Sequence, residues 1–289
     1  MASTVPVTPG YPHRLTSMGD APGTFAEMLD LEVIDKNLFR AHNAGEGGRR
    51  LFGGQVASQA LRAAASTVEV AHQVNSLHAY FLRPGRYGIP VVFSVDRIRD
   101  GSSFTTRRVV ASQDGEAILN LDASFHGHED GGEYAPPSPV HDAPPPDSVE
   151  PDARRRASHH RFLDSRSVEL EGDSPTARSR WIRLVDDLPD DPVVHACAIT
   201  FFSDTGPLGA TRRAVGVAEG DGWEAQMMTA SLDHCVWFHR PVRADEWLLY
   251  RLDPLVVGRA RGLARGEIWT AEGSLAVSIT QEGLLRWRR

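Results

Sequence analysis

The sequence repeats one pattern of residues after about 157 positions. The stretches "SLHAYFLRP" (76–84) and "SLDHCVWFHRP" (231–241) share a Ser-Leu pair, a histidine, an aromatic run and Arg-Pro. Further along, the candidate turns "QDGE" (113–116) and "AEGS" (271–274) each carry a glycine at the third position. One repeat of this length indicates tandem duplication of a domain, because a solenoid would repeat every 20 to 50 residues or so.

Each copy predicts the same order of elements. The extended, β-rich runs 89–98 and 103–112 of the first copy correspond to 247–257 and 261–270 of the second. A candidate helix precedes each set, at 53–68 and at 191–202. In the second helix, Asp191 is suited to the N-cap and Pro192 to the first turn, and "DTGPLG" (204–209) ends it.

The predicted fold class is therefore α+β. In each half, one apolar helix followed by about four antiparallel strands can bury its surface only if the sheet curves around it. We expect a flexible arm at 1–24, rich in Pro, Thr, Ser and Gly, and a first domain at 25–127. A proline-rich linker at 128–160 then leads to a second domain at 161–289.

Composition excludes several functional classes. The net charge of −7 disfavours nucleic-acid binding. No apolar run reaches the roughly 18 residues of a membrane-spanning helix, and the N-terminus lacks the apolar core of a secretory signal. Cys197 and Cys235 lie in apolar runs, which is typical of reduced thiols, so we expect a cytoplasmic protein. Neither CxxC nor HExxH occurs, and we predict no metal and no cofactor.

Several stretches, in order, resemble the acyl-CoA thioesterase II family over roughly 25–286. They are "LFGGQVASQAL", "SLHAYFLRPG", "RDGSSFTTRRV", "SLDHCVWFHRP", "EWLLY", "ARGLARGEIW" and "QEG". The resemblance implies a tandem (double) hotdog fold, in which each half is an antiparallel sheet wrapped around a central helix. It also implies hydrolysis of fatty acyl-CoA to free acid and CoA, with acyl-CoA as the partner, and a homo-oligomer, either a dimer or a tetramer.

The resemblance also implies an active site of three residues that orient water. Its acid follows the second helix in "FFSD", at Asp204. Its hydroxyl residue precedes "LDH", at Ser231, where the family pattern allows Thr or Ser. Its amide lies in "QEG", at Gln281. A thioester carbonyl attacked by water needs a base and a fixed water, and these groups supply both. A route through an acyl-serine stays open.

Two of these residues stand out without the resemblance. Asp204 lies at the C-terminal end of a predicted helix, where the macrodipole disfavours a carboxylate and raises its pKa. Gln281 continues an alternating stripe formed by Leu275, Val277 and Ile279, so its amide needs a partner if it is buried. A surface turn and a strand end reaching water are the ordinary alternatives.

The stretch 231–238 is expected to be one strand. Alternation then puts Ser231 and Asp233 on one face and His234 on the other. Asp233 and His234 would point apart, which argues against the acid–base pair of a hotdog enoyl-CoA hydratase. Asp233 is kept as a second-choice catalytic acid.

The first half lacks two of the three groups, because Gln281 aligns with Ala123 and no "FFSD" follows its helix. We expect this half to bind substrate through Gly53, Gly54 and Gln55, since the free N–H groups of a helix start bind carbonyl or phosphate oxygens. A tight turn is the alternative. A non-catalytic acyl-CoA-binding module and a hydrolase of acyl carrier protein thioesters remain competing functions.

Overall fold

The computed structural model describes residues 22–43, 50–152, 158–217 and 222–288. The elements of the first half are α1 (Phe25–Met28), β1 (Glu32–Asp35), β2 (Leu38–Ala41), α2 (Gly53–Ala65), β3 (His72–Phe81), β4 (Val91–Asp100), β5 (Phe104–Gln113) and β6 (Glu116–Gly127). Those of the second half are β7 (Leu163–Val168), β8 (Arg178–Leu184), α3 (Pro192–Ser203), α4 (Pro207–Ala214), α5 (Trp223–Gln226), β9 (Met227–Ser231), β10 (Asp233–Phe238), β11 (Leu248–Gly258), β12 (Arg261–Thr270) and β13 (Leu275–Trp287).

The described strands form one antiparallel sheet in the order β1-β2-β4-β5-β6-β3-β10-β13-β12-β11-β8-β7, with β9 also paired to β13. The two halves join at β3 and β10, so the two similar stretches are neighbours in the middle of the sheet. Leu77 pairs with Val236, and Ala79 pairs with His234 on the other side of the His78–Cys235 pair. This symmetry confirms the predicted duplication and the tandem hotdog fold that the resemblance implies.

The helices α2 and α3 lie side by side and antiparallel between the two halves of the sheet. The Ser58 hydroxyl near the middle of α2 donates to the Cys197 carbonyl of α3, 2.8 Å away. Further along α2, Arg62 lies 3.8 Å from Asp191 at the start of α3. From Val194 to Ser203 every residue of α3 is buried, as expected for a helix that is apolar on all sides.

The helices and strands predicted from the sequence are present in the structure. The four predicted strand runs correspond to β4, β5, β11 and β12, and Asp191 caps α3 by accepting from the Val193 N–H, 2.9 Å away. The prediction omitted the hairpins β1–β2 and β7–β8. It also missed the insertion α4–α5–β9, because Gly206-Pro207 was interpreted as a stop. Pro207 instead begins α4, at a position where its missing N–H costs nothing.

The described part of the 128–160 linker contains no strand, two short 3₁₀ helices, Pro139–Asp142 and Pro146–Ser148, and the start of a third, Ser158–Phe162. It nevertheless packs on the second half: Val140 is buried beside Trp181 and Trp269, and the Trp181 indole donates to the Pro144 carbonyl. Residues 1–21 of the predicted arm lie outside the described residues. The domain boundaries themselves stay predictions.

No helix in the described residues is long and apolar enough to cross a membrane. Both cysteines are free: Cys197 is buried in α3, whereas Cys235 is only half-buried. Across the described ranges, no group of three or more His, Cys, Asp or Glu side chains could hold a metal ion. The side chain of His159, from the single adjacent histidine pair, lies outside the described residues.

Candidate active site

Asp204 lies where the ends of the two central helices meet. It is the C-cap of α3, and its carboxylate points at the start of α2, where Oδ2 accepts from the Gly54 N–H at 2.7 Å. Its other oxygen, Oδ1, accepts from Gln281 Nε2 at 2.9 Å and from the Ser231 hydroxyl at 3.3 Å. Only 8% of the residue is exposed. The structure thus brings together the three residues implied by the sequence.

The start of α2 admits this carboxylate because it carries no side chains of its own there. The N-cap residue Phe52 makes no side-chain capping bond, so the first N–H groups of α2 need an outside acceptor. A Cβ on Gly53 would lie 2.9 Å from Asp204 Oδ2, and one on Gly54 would overlap the Phe201 carbonyl oxygen. Two glycines therefore permit the helices to approach closely enough for Asp204 to cap α2 from the other half of the chain.

Ser231 reaches Asp204 through an irregularity in the strand. Ser231 pairs with Gly283 and Cys235 pairs with Thr280, so three residues on one strand face two on the other. Such a bulge reverses the alternation of side chains. The prediction that Ser231 shares a face with Asp233 was therefore wrong: Ser231 faces the helices together with His234.

Gln281 lies on β13, where residues 277, 279, 281, 283 and 285 are buried in alternation. The strand continues to Trp287, so the alternative of a strand end reaching water does not hold. The residue is 1% exposed, and its Nε2 donates to Asp204 and, at 2.8 Å, to Ser231 Oγ. The partner expected for a buried amide is thus the acid–hydroxyl pair itself.

Burial raises the pKa of Asp204 to about 7, against the lowering effect of hydrogen bonds from Gln281, Gly54 and Ser231. The sequence had suggested the α3 dipole as the cause. The contacts give desolvation instead, since the positive end of α2 lies beside the same carboxylate and favours its charged form. A carboxyl that titrates near neutrality is suited to take a proton from water.

The residues expected to bind substrate have protein partners. Gly54 gives its N–H to Asp204, and the Gln55 amide donates to Asn43 Oδ1 at 2.7 Å while accepting from the Tyr87 hydroxyl. These contacts give Gly54 a role in holding the acid, which the sequence did not suggest. Substrate binding by Gly53, Gly54 and Gln55 stays a prediction.

Asp233 and His234 lie on opposite faces of β10, as predicted. Asp233 Oδ1 accepts from the Glu282 N–H at 2.6 Å, which holds the bulge. His234 is fully buried, and its Nε2 lies 2.8 Å from the Ser203 hydroxyl on α3. The two side chains cannot act on one substrate atom, which removes the arrangement that the hydratase alternative needs.

Comparison with known proteins identifies the family. Residues 41–126 match the model of the acyl-CoA thioesterase N-terminal domain, and residues 153–284 match the acyl-CoA thioesterase model. Human acyl-coenzyme A thioesterase 8 is 33% identical over 306 aligned positions, covering 93% of this chain and 92% of the relative. The chain belongs to the acyl-CoA thioesterase II family. It is accordingly a thioester hydrolase whose substrate class is acyl-CoA.

Other members of the acyl-CoA thioesterase II family extend the comparison. Acyl-CoA thioesterase 2 of Haemophilus influenzae is 30% identical, covering 93% of this chain and 99% of the relative. The crystal structure of an acyl-CoA thioesterase II, TesB2, from Mycobacterium marinum superposes with a TM-score of 0.75 at 39% identity, covering 91% and 97% of the two chains. The duplicated architecture is thus shared along almost the whole chain.

Proposed function

We propose that the enzyme hydrolyses fatty acyl-CoA with a water molecule that Asp204 activates and that Ser231 and Gln281 orient. The observation that carries the proposal is the convergence of three polar groups on one another in an apolar setting. Asp204 Oδ1 contacts both Gln281 Nε2 and Ser231 Oγ, and the latter two contact each other. A buried network of this kind is stable only when its members satisfy one another.

The chemistry follows from the protonation states. Ionised Asp204 accepts one proton of the water while the water oxygen bonds to the thioester carbonyl carbon. The carbonyl π electrons move to oxygen and form a tetrahedral oxyanion, which N–H or O–H donors stabilise. When the oxyanion collapses, the carbon–sulfur bond breaks, the sulfur leaves with the electron pair, and Asp204 returns its proton to the thiolate. The products are a carboxylic acid and CoA.

Ser231 is proposed to orient rather than to attack. Gln281 Nε2 donates to Ser231 Oγ, which draws electron density from that oxygen and makes it a poorer nucleophile. Its hydroxyl hydrogen is directed to Asp204, so the serine holds the base in a fixed position. In the acyl-serine alternative, the same contact would remove the proton of the serine instead.

Free thiol release from a panel of acyl-CoAs, short to long, tests the proposal. Release that follows enzyme concentration and rises with chain length supports a fatty acyl-CoA thioesterase. Binding of long-chain acyl-CoA without release would favour the non-catalytic binding module. Release only from acyl carrier protein conjugates would assign a different thioester. A homo-oligomer and a cytoplasmic location stay predictions.

A further inference from the structure

We propose that His234 is a positioning residue, whose Nδ1–H holds the Gln281 amide so that its NH2 group faces Asp204 and Ser231. The inference rests on the proposed function, in which Gln281 orients the water, because His234 would in turn orient Gln281. It gives a role to His234, the first histidine of "SLDHCVWFHRP", which is not one of the three residues of the proposed active site.

Two buried polar atoms at the proposed site take no part in the hydrogen bonds described above. Gln281 Nε2 donates to both Asp204 and Ser231, whereas the Gln281 Oε1 atom is buried and accepts from neither of them. His234 Nε2 lies 2.8 Å from the Ser203 hydroxyl, which leaves the His234 Nδ1 atom buried in the same way. Buried polar atoms are rarely left unpaired, so each of these two atoms calls for a complement.

The two leftover atoms belong to neighbouring side chains. Cys235 pairs with Thr280 across β10 and β13, and His234 and Gln281 are the next residues of the two strands, at the edge of the bulge. Both side chains face the helices, with His234 fully buried and Gln281 1% exposed. A hydrogen bond with Gln281 acts on the pKa of His234, which burial lowers to about 4. At neutral pH the ring is therefore uncharged, with one N–H donor and one acceptor nitrogen.

The hydrogen positions follow from the acid. An ionised carboxylate can only accept, so Gln281 must present its NH2 group to Asp204 and turn Oε1 towards His234. Oε1 is an acceptor, which requires the hydrogen of His234 to be on Nδ1. Nε2 is then an acceptor, and the Ser203 hydroxyl donates its single hydrogen to it at 2.8 Å rather than to the Thr200 carbonyl oxygen, 3.3 Å away. A single chain of donors runs from Ser203 through His234 and Gln281 to Asp204, and reversing any one member leaves two like groups facing each other.

The functional consequence lies in the rotation of the amide. Without a donor at Oε1, the Gln281 side chain can turn about its last torsion, which has a broad energy profile. The NH2 group would then point between Asp204 and Ser231 instead of at both. We expect loss of His234 Nδ1–H to lower kcat while leaving KM nearly unchanged, because the residue does not touch the substrate.

Two substitutions separate the two nitrogens. In His234→Asn the amide nitrogen can occupy the place of Nδ1, whereas in His234→Gln it reaches the place of Nε2. We expect His234→Asn to keep kcat within about threefold of wild type and His234→Gln to lower it about tenfold or more. His195→Gln is the matched control. His195 is buried like His234, but it lies on α3, about 13 Å along the helix from Asp204. Its loss should affect stability but not kcat.

Coupling to Gln281 gives the decisive result. If His234 acts through the amide, His234→Gln adds little to the loss caused by Gln281→Ala, because the two changes remove one interaction. Equal kcat values for the Asn and Gln variants, or full additivity with Gln281→Ala, would overturn the inference. Wild-type activity in Gln281→Ala would instead defeat the proposed function, so the two failures are distinguishable.

A second measurement keeps the inference testable if the variants fold poorly. NMR of wild-type enzyme containing ¹⁵N-labelled histidine reports which ring nitrogen carries the hydrogen. The His234 signal can be assigned by its change in Ser203→Ala, since Ser203 contacts Nε2. We expect the Nδ1–H tautomer, and finding the hydrogen on Nε2 would rule out the proposed donor.

Discussion

The two ends of the α2–α3 pair are equivalent by duplication, yet they handle the same problem differently. A helix start leaves N–H groups without partners, and an aspartate supplies the acceptor at both ends. At the start of α3 the acceptor is its own N-cap, Asp191, whose side chain is 40% exposed. At the start of α2 it is Asp204, which comes from the other half of the chain and is buried.

Under the proposed function, this difference explains why the chemistry is at the start of α2 and not at the start of α3. A cap from the same helix points along the protein surface, so its carboxylate stays in water. A cap that arrives from a neighbouring helix is enclosed by both, and desolvation brings its pKa towards neutrality. The sheet repeats the asymmetry: Gln281 pairs with Ala264 on β12, while its counterpart Ala123 pairs with Arg107 on β5. Duplication supplied two sites, and only one received the groups.

The presence of a cavity does not distinguish the start of α2 from the start of α3. A cavity of about 730 Å³ lies at the start of α3, lined by Pro192, Val193 and Phe238, the last of these being the counterpart of Phe81 beside Gly53. The carboxylates in its lining outnumber the arginines, and Asp204, Ser231 and Gln281 are not among its residues. This cavity is therefore separate from the three residues of the proposed active site.

The largest expected effect separates the two capping acids. Asp204→Asn removes the base, and we expect turnover to fall by about 100-fold or more. Asp191→Asn should leave turnover unchanged, because asparagine caps a helix as well as aspartate does. Thiol release by both variants, with circular dichroism to confirm folding, checks the contrast. Unchanged turnover in Asp204→Asn would remove this residue from the mechanism.

The close approach of the helices is tested next. Gly54→Ala would bring a methyl group against the Phe201 carbonyl and force α2 away from Asp204. We expect turnover to fall roughly 10- to 100-fold and stability to fall by about 1–3 kcal/mol. Kinetics and thermal unfolding measure both. Gly132→Ala, at an open and exposed position, is the control. Equal turnover and stability of the two variants would contradict the close packing in which Asp204 caps α2.

Ser231 distinguishes orientation from covalent catalysis at the same end. If the hydroxyl orients the base, we expect Ser231→Ala to lose roughly 10-fold in turnover and Ser231→Thr to retain most of it. A nucleophilic serine would lose nearly all activity in Ser231→Ala and would accumulate an acyl-enzyme. Rapid-quench mass spectrometry of the wild-type enzyme looks for that species, and its detection would favour the acyl-serine route.

The enclosed carboxylate predicts a pH dependence. Asp204 must be ionised to accept a proton, and its pKa is raised to about 7. Activity should therefore be lost as the pH falls through about 7 and be fully present above about 8. The profile of kcat/KM against pH measures this. Asp233→Asn is the control: asparagine keeps the oxygen that accepts the Glu282 N–H and holds the bulge, so the midpoint should stay in place. A midpoint near 4 in the wild-type enzyme would show Asp204 to be solvated.

Much of this arrangement follows from sequence, and the remainder depends on contacts between distant residues. The strands were predicted because alternation and glycine turns are local signals, and Gln281 was marked by the stripe it continues. The partner of the α2 start was not predictable locally, since Asp204 lies 150 residues from Gly54. The helix start without a capping side chain was the available clue, and it was interpreted as a site for substrate.

The orientation of Ser231 fails for a related reason. Periodicity assumes an uninterrupted strand, whereas the bulge at Leu232 depends on Asp233 accepting the N–H of Glu282 from β13. That acceptor is visible in the sequence, but its donor is known only once β13 is in place. The same holds for His234: its position on the face opposite Asp233 was predicted correctly, and its proposed role depends on which atoms of Gln281 remain unpaired.

The smallest expected effect tests whether burial, rather than position, creates the base. Ser66 is the C-cap of α2 and so the counterpart of Asp204, but it is exposed. Ser66→Asp places a carboxylate at the equivalent helix end in water, where the dipole costs about 0.3–1 kcal/mol. We expect slightly lower thermal stability than in Ser66→Asn, and no turnover when Ser66→Asp is combined with Asp204→Asn. Turnover restored in that double variant would show that the helix end itself, without enclosure by its neighbour, is enough.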